Sequence, residues 1–527
     1  MHSVRDPMRF WFVVLALATS LACARGAEVE EEKEAGPGRK ARHVVLIVWD
    51  GMRPDFVTEE HAPNLWKLAQ SGAWFQKHHS AYPSLTAVNA VALATGVYPS
   101  ESGLLANWEF RPALDAAKTI RTDAAETILA GDKKRGGRYL KAPTIAARVR
   151  EKGGRTALAG TKTASLLQDP ELKADSKSVT LFEGQTLPAT ALDRIVKLLG
   201  PFPTAKPFPN AAQDRWTTQA LTEVLWQEGV PEFSVLWLSE PDYSQHETTP
   251  GSKESLAAIQ SSDANLGLVL EALEKKKVRE RTDVFVVSDH GFSTVERFAE
   301  SVESARAAGL EVVTDRAPKR GELRIAGNGG TILIYIGEHD VPTMRRTIDW
   351  LQQSEFAGVI FARGGPEGTF ALAKVHVDLF EGPDIMVAMR WNDSPNAFGV
   401  RGMLGANRPK DPPKATHGSL SLFDLHNTLV AAGPDFRRVE SNVPSSNYDV
   451  PFTIAEILGL VPPAEHAGRV LTEALAGEPE ADSEVATRLL EASRTFPEGE
   501  WRQSLRISEV AGTIYLEEGN GEFRRRE

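Results

Sequence analysis

Three aspartates and two histidines of this chain recur in one kind of place, just after a short apolar run, and a third histidine stands beside a glycine. Asp50 ends Val48-Trp49-Asp50, and Asp242 and His246 lie in the segment that follows Leu238. Asp289 and His290 follow Val287 and Ser288, and His417 sits beside Gly418. Carboxylate oxygens mixed with imidazole form a metal-site constellation, and three Asp with three His are too many ligands for one tetrahedral zinc and about right for two. The donor types suit Zn²⁺ and leave Mn²⁺ or Fe open. A single aspartate at such a place is more often a helix cap or turn residue. Repetition at several strand ends makes separate structural explanations improbable. His43, His61, His78, His79, His339, His376, His426 and His466 do not share this placement and read as surface or satisfied core residues.

Between the first two loci lies Tyr82-Pro83-Ser84-Leu85-Thr86-Ala87-Val88-Asn89, running into a helical pattern over Ala90 to Ala94 and ending at Thr95-Gly96. A hydroxyl at a helix N-terminus meets free backbone N–H groups and the positive end of the helix dipole, which suits it to receive a phosphoryl group. The commoner use of such a threonine is as a helix cap.

The elements that must hold these residues alternate. Apolar, β-branched runs at His43 to Trp49, Thr156 to Ala159, Phe233 to Leu238 and Val284 to Val287 read as strands. Helical patterns run over Ala62 to Gln70, Thr217 to Trp226 and Lys253 to Glu274. That alternation predicts an α/β fold with a mostly parallel central sheet sandwiched by helices, whose ligands collect beyond the carboxyl ends of the strands. Gly200 to Pro209 and Asp315 to Arg320 read as loops. Residues 293–414 are richer in strand patterns, at Gly330 to Ile336, Val359 to Ala362 and Ile385 to Met389, and read as a cap-like insertion. The expected organisation is a catalytic domain over 43–494 containing that insertion. A C-terminal extension over 495–527 follows, with an edge strand at Thr513 to Glu517 and a solvated Arg524-Arg525-Arg526.

Composition narrows the classes. The 527 residues are 42% hydrophobic and 25% charged, as in ordinary globular proteins. The net charge of −11, without a long basic run, argues against a nucleic-acid-binding domain, because phosphate backbones are held by clustered Lys and Arg. One cysteine excludes an intrachain disulfide and cysteine-based zinc sites. Residues 1–22 read as a secretory signal peptide, with Arg5 and Arg9 before the apolar run Phe10 to Ala18. Cys23, after Ser20-Leu21-Ala22, falls where a bacterial lipoprotein is acylated, although Ser20 and Leu21 depart from the usual lipobox. Cleavage at Ala22-Cys23-Ala24 is the rival reading. Residues 23–42 read as a flexible tether. Both readings export the protein, to the periplasm or as a membrane-anchored lipoprotein tethered through Cys23. No other apolar stretch reaches the length of a membrane-spanning helix.

The ordered set Asp50, Thr86 with Thr95-Gly96-Val97-Tyr98-Pro99 and Gly103, Asp242 with His246, Asp289-His290 and His417-Gly418 resembles the alkaline phosphatase superfamily, most closely its nucleotide pyrophosphatase/phosphodiesterase (type I phosphodiesterase) branch. The resemblance covers roughly 43–108, 150–170, 230–295 and 415–470. It implies two zinc ions, one held by Asp50, Asp289, His290 and the Thr86 oxygen, the other by Asp242, His246 and His417. It further implies in-line attack of Thr86 on phosphorus, a covalent phospho-threonine and its hydrolysis by water, with net retention. Asn107 matches an asparagine that hydrogen-bonds a phosphate oxygen, with the Ala87 N–H as second donor.

Two departures bear on substrate, which the resemblance places among small-molecule phosphate esters, nucleotides included. Ala87 stands where nucleotide-cleaving members carry a phenylalanine beside the threonine, so the resemblance does not establish a nucleotide preference; Trp108, Tyr243 or an aromatic of the insertion are the candidate replacements for that ring. Lys162 is the one cation where phosphonate hydrolases and threonine-dependent monoesterases carry two, Ala164 holding the second place; its bland reading is a solvated lysine. Sulfatases are disfavoured, since Thr86 offers neither their Cys/Ser nucleophile nor its setting. The expected function is therefore phosphodiester or pyrophosphate hydrolysis. Phosphomonoesterase or phosphonate hydrolase is the alternative, and a non-catalytic zinc-stabilised binding lipoprotein the rival class. Oligomeric state is not set by these residues.

Overall fold

The computed structural model describes residues 38–134, 139–171, 177–463, 467–478 and 484–526. The signal peptide, Cys23, most of the tether and His466 lie outside the described residues. The tether was expected to reach residue 42, but the chain is bound to the body by Arg39. The Arg39 guanidinium donates to Glu478 at 2.8 Å and to Glu456 at 3.2 Å. The Lys40 and Ala41 amides each donate to an Asp435 carboxylate oxygen at 2.8 Å.

Among the described residues a nine-stranded sheet runs in the order Val439–Ser441, Ala73–Phe75, Leu429–Ala432, Thr282–Val287, His43–Trp49, Phe233–Leu238, Thr156–Gly160, Val179–Phe182, Gln185–Leu187. The five strands from Thr282–Val287 to Val179–Phe182 are parallel to one another. Buried on both faces, they are apolar runs rather than alternating ones. Val44, Leu46 and Val48 enter one core, while Val45, Ile47 and Trp49 enter the other. Helix Lys253–Lys275 packs on the second face through Ile259, Leu266, Val269 and Leu273. Helices Thr86–Thr95 and Asp449–Leu458 pack on the first. The helical pattern expected over 217–226 begins earlier, as Ala211–Gln219, and its expected span becomes the π-helical turns Ala220–Leu225.

Register decides where the chemistry falls. Val48 pairs with Val287 and with Trp237, and Trp49 pairs with Leu238, so three strands end at one edge of the sheet. Asp50, Asp242 and Asp289 all follow at that edge.

The insertion is built as expected from strands. A six-stranded sheet contains Glu322–Asn328, Thr331–Ile336, Ile385–Met389 and Ala357–Ala362, and a four-stranded sheet contains Ser293–Ala299 and Arg401–Asn407. Ala415–Thr416 pairs antiparallel with Ser293 and Thr294, so the insertion closes on its own base and hands His417 back to the site.

The C-terminal expectation needs correction. The extension begins at Val485, ten residues before the expected 495, as a three-stranded meander of Val485–Phe496, Gly499–Val510 and Thr513–Arg525. Its last strand, Thr513–Arg525, is an edge strand as expected, of this meander and not of the main sheet. The meander packs on the insertion: the Trp501 indole donates to Gly368 O at 2.9 Å, and the Ile360 amide to Gln503 Oε1 at 2.8 Å. Long alternating strands of mixed polarity hid this sheet, because only one face is covered. Arg524, Arg525 and Arg526 are exposed, as read. No helix among the described residues is long and apolar enough to cross a membrane.

Candidate metal centre and nucleophile

Asp50 leaves the first strand into Gly51, whose φ of +73° and approach to Asp242 require glycine: a Cβ there would lie 3.0 Å from Asp242 Cβ. The Gly51 amide donates to Asp289 Oδ1 at 3.0 Å, and the Asp242 amide donates to Asp50 O at 2.9 Å, so one side-chain and one backbone bond tie the three strand ends together. Helix Asp242–Thr248 carries His246 one turn beyond Asp242 on the same face. Gly291 lets Asp289-His290 turn in tightly, since a Cβ would meet Phe423 O at 2.1 Å.

Two ligand sets form, each with one donor atom per residue within 4.8 Å of the others: Asp50, Asp289 and His290, and Asp242, His246 and His417. These are the two groups that the resemblance implies. All but His246 are buried. The three imidazoles share one hydrogen-bonding pattern. Nδ1 of His246 lies 2.8 Å from Ala415 O, Nδ1 of His290 2.9 Å from Gly291 O, and Nδ1 of His417 2.7 Å from Ser84 O. A carbonyl only accepts, so each Nδ1 carries the proton and each Nε2 turns a lone pair inward.

Those lone pairs face carboxylates. His290 Nε2 lies 3.2 Å from Asp289 Oδ2 and 3.6 Å from Asp50 Oδ1; His417 Nε2 lies 3.6 Å from Asp242 Oδ1. Asp50 Oδ1, Asp242 Oδ1 and Asp289 Oδ2 are buried without a hydrogen-bond partner. Burial, then the neighbouring Asp289, pushes Asp50 up to about 8, and burial pushes Asp289 up to about 7. Burial holds His290 and His417 below the ordinary imidazole range. Orphaned carboxylate oxygens opposite inward lone pairs are the environment of cations, and both groups fit divalent metal ions.

Lys162 is not the solvated lysine of its bland reading. Its Nζ lies 2.9 Å from Asp50 Oδ2 and 2.7 Å from Asp242 Oδ2, joining one carboxylate of each set. It contacts the Oδ2 atoms and leaves the unpartnered Oδ1 atoms of Asp50 and Asp242 untouched, so ammonium and metal ions need not compete for the same atoms. Burial opposes the charge on Asp242, but Lys162 and then His246 hold that carboxyl well below its ordinary range. Ala164 is fully buried.

Thr86 is the first residue of helix Thr86–Thr95, and Leu85 occupies the cap position without a side-chain bond. The threonine is therefore not spent as a cap. Its Oγ1 lies 3.2 Å from His290 Nε2. The Ala87 amide, expected as a free donor, donates to Asn107 Oδ1 at 2.8 Å. That bond fixes the carboxamide so that its Nδ2 points away from the amide.

Sequence reasoning missed the supports. The Trp237 indole donates to Asp50 Oδ2 at 2.9 Å, and Asn447 Nδ2 donates to Asn89 Oδ1 and to Asp289 O, both at 2.8 Å. A tryptophan inside a fully buried strand needs a partner for its N–H, which was a usable signal. Asn447 carried none.

A family model described as type I phosphodiesterase / nucleotide pyrophosphatase matches residues 44–348. Among curated relatives, venom phosphodiesterase 2 of Crotalus adamanteus is 25% identical over 259 residues, 48% of this chain and 27% of its own length. Ectonucleotide pyrophosphatase/phosphodiesterase family member 7 of Mus musculus is 21% identical over 285 residues, 54% of this chain and 56% of its own. The chain thus spans about a quarter of the first of these relatives and about half of the second. Murine ectonucleotide pyrophosphatase/phosphodiesterase 5, solved as an inactive variant with AMP, superposes with a TM-score of 0.58 at 17% identity, covering 82% of this chain and 100% of that one. That likeness gives the fold, which is alkaline-phosphatase-like. With more than half of its length matched by the family model, the chain belongs to the type I phosphodiesterase / nucleotide pyrophosphatase family.

Proposed function

We propose that this chain is a metal-dependent phosphoryl-transfer hydrolase that cleaves phosphodiester or pyrophosphate bonds, with Thr86 as nucleophile. The observation that carries the reading is the Thr86 hydroxyl, 3.2 Å from His290 Nε2 at the start of a buried helix and beside two buried carboxylate–histidine sets. Two zinc ions, or Mn²⁺ or Fe in their place, held by Asp50, Asp289 and His290 and by Asp242, His246 and His417, would supply the positive charge that favours an ionised hydroxyl and a departing oxygen.

The residues themselves do the rest. Thr86 Oγ1 gives up its proton to solvent and bonds to phosphorus as the bond from phosphorus to the leaving oxygen breaks. The leaving oxygen departs with a proton from solvent. A diester leaves its second organic group on the phospho-threonine; water then breaks the threonine ester, restoring Thr86, and two inversions give retention. Asn107 Nδ2 and the N-terminus of the helix face the charge that grows on the phosphoryl oxygens. The interior position of Lys162 favours a second reading, monoester or phosphonate hydrolysis, in which the ammonium meets an extra negative charge. The N-terminal pattern from Arg5 to Ala18 supports export.

The test compares zinc-loaded protein on bis-(p-nitrophenyl) phosphate and p-nitrophenyl phosphate, with and without chelator. Faster turnover of the diester, abolished by chelation, is expected. A strong monoester preference would support the second reading, and full metal loading without turnover of either would support a binding protein.

A further inference from the structure

Asp424 lies in the helical turn Leu422–Leu425, outside both ligand sets, and is fully buried. A carboxylate is costly to bury unless donors meet its oxygens, and an apolar residue, like its buried neighbours Leu420 and Leu425, would fill the space at less cost. The donors come from where the chain enters the insertion and from where it has left it. The Ser293 hydroxyl, three residues past His290, donates to Asp424 Oδ1 at 2.5 Å. The Ser419 amide and hydroxyl, two residues past His417, donate to Asp424 Oδ2 at 3.0 and 2.6 Å. Ser293 and Ser419 are fully buried as well.

The main chain of the same turn continues the grip. The Gly291 amide donates to Asp424 O and the Phe292 amide to Phe423 O, both at 2.8 Å. Gly291 O is the group that meets His290 Nδ1. On the other side the Ser84 hydroxyl donates to Ser419 O at 2.8 Å, while Ser84 O is the group that meets His417 Nδ1. Ser84 stands two residues before Thr86. Short chains of hydrogen bonds thus run from Asp424 to the loops of His290, His417 and Thr86. Bonds to an ionised acceptor are roughly twice as strong as neutral ones, so a carboxylate holds these loops more firmly than a hydroxyl or an amide would. Asp424 touches no ligand atom and acts only through its neighbours.

We propose that Asp424 is a positioning residue for this centre: it clamps the two segments flanking the insertion so that His290, His417 and Thr86 keep one spacing, and metal affinity and turnover both depend on it. The proposal rests on the reading of the two sets as metal ligands and of Thr86 as nucleophile.

The experiment measures zinc affinity by competition with a chromophoric chelator, and kcat and KM on bis-(p-nitrophenyl) phosphate at saturating zinc, for wild type, Asp424→Ala, Asp424→Asn, Ser293→Ala and Ser419→Ala, each well below its melting temperature. Losing an outer partner of metal ligands typically costs about 10- to 100-fold, and Asp424→Ala should lose that much in zinc affinity and in kcat, with KM changed less than about threefold. In Asp424→Asn the side-chain oxygen can accept from the Ser419 amide and hydroxyl while the Ser293 hydroxyl turns to accept from the new N–H, so this variant should recover most of what Asp424→Ala loses. Ser293→Ala and Ser419→Ala each remove one hydroxyl donor and should weaken zinc about 2- to 10-fold, which keeps the test open if Asp424→Ala does not fold. Folded variants with wild-type zinc affinity and kcat and only a lower melting temperature would overturn the proposal, since Asp424 would then serve stability alone. If wild type binds no zinc, the metal reading fails and the proposal with it. If wild type binds zinc but turns over no ester, the Thr86 reading alone fails, and zinc affinity still decides the clamp.

Discussion

The imidazoles of His290 and His417 lie face to face, 3.5 Å between centroids and 11° from parallel, although each belongs to a different ligand set. Two rings so close are compatible only if at most one is charged, and burial keeps both below the ordinary imidazole range. Each can then offer Nε2 to its own cation while sharing a wall. Metal analysis of zinc-loaded protein should give about two ions per chain, and Asp242→Asn about one, because the substitution spares the backbone, the His290 tautomer is set by Gly291 O and Asp289 is held by the Gly51 amide. A single ion in wild type, or an Asp242→Asn variant that still binds two, would contradict separate sites.

Lys162 joins Asp50 and Asp242 without using their orphaned oxygens. In chelated protein, Lys162→Met leaves two buried carboxylates facing each other with no cation, and removing one partner of a buried ion pair typically costs about 3–5 kcal/mol. With zinc bound, the metal charges take over that role. Thermal melts should therefore show a large loss in chelator and a smaller one in zinc. Equal losses in both would mean that Lys162 and the metal charges act independently.

His78 lies behind the site, with Nδ1 2.9 Å from Ser445 Oγ and Nε2 2.9 Å from Asn447 Oδ1. Burial lowers it from 6.5 to about 3, its Asn447 bond opposing only in part. The unfolded chain thus holds the extra proton between those values, and stability is lost as pH falls below 6.5. The advantage of wild type over His78→Gln in denaturant unfolding should shrink by about 1.4 kcal/mol per pH unit well inside that window. An advantage that is flat from pH 7.5 to 5 would show that His78 is charged in the fold.

Much of this site could be read from the chain because strand ends are local features. His43 to Trp49 reads as a buried strand, and the residue after it, Asp50, emerges at its carboxyl end; Asp242 and Asp289 follow their strands within four residues. What needed coordinates was whatever depends on distant partners. Lys162 reads from sequence as a candidate cation for the phosphoryl group or a solvated lysine, and neither reading foresees its bridge between Asp50 and Asp242. Ala87 and Asn107, 20 residues apart, looked like two independent donors and turn out to bond to each other. The C-terminal meander pairs Val485 to Phe496 with later strands whose covered face is the insertion, a relation without periodicity strong enough to place its start at Val485.

The measurement that bears most directly on the central claim is turnover of bis-(p-nitrophenyl) phosphate by Thr86→Ala, with metal content determined on the same sample. Removing a nucleophile should lower kcat on the order of 10³-fold or more, with Asp242, His246 and His417 still holding their ion. A Thr86→Ala protein that binds metal as wild type does and hydrolyses the diester at the wild-type rate would show that Thr86 is not the nucleophile.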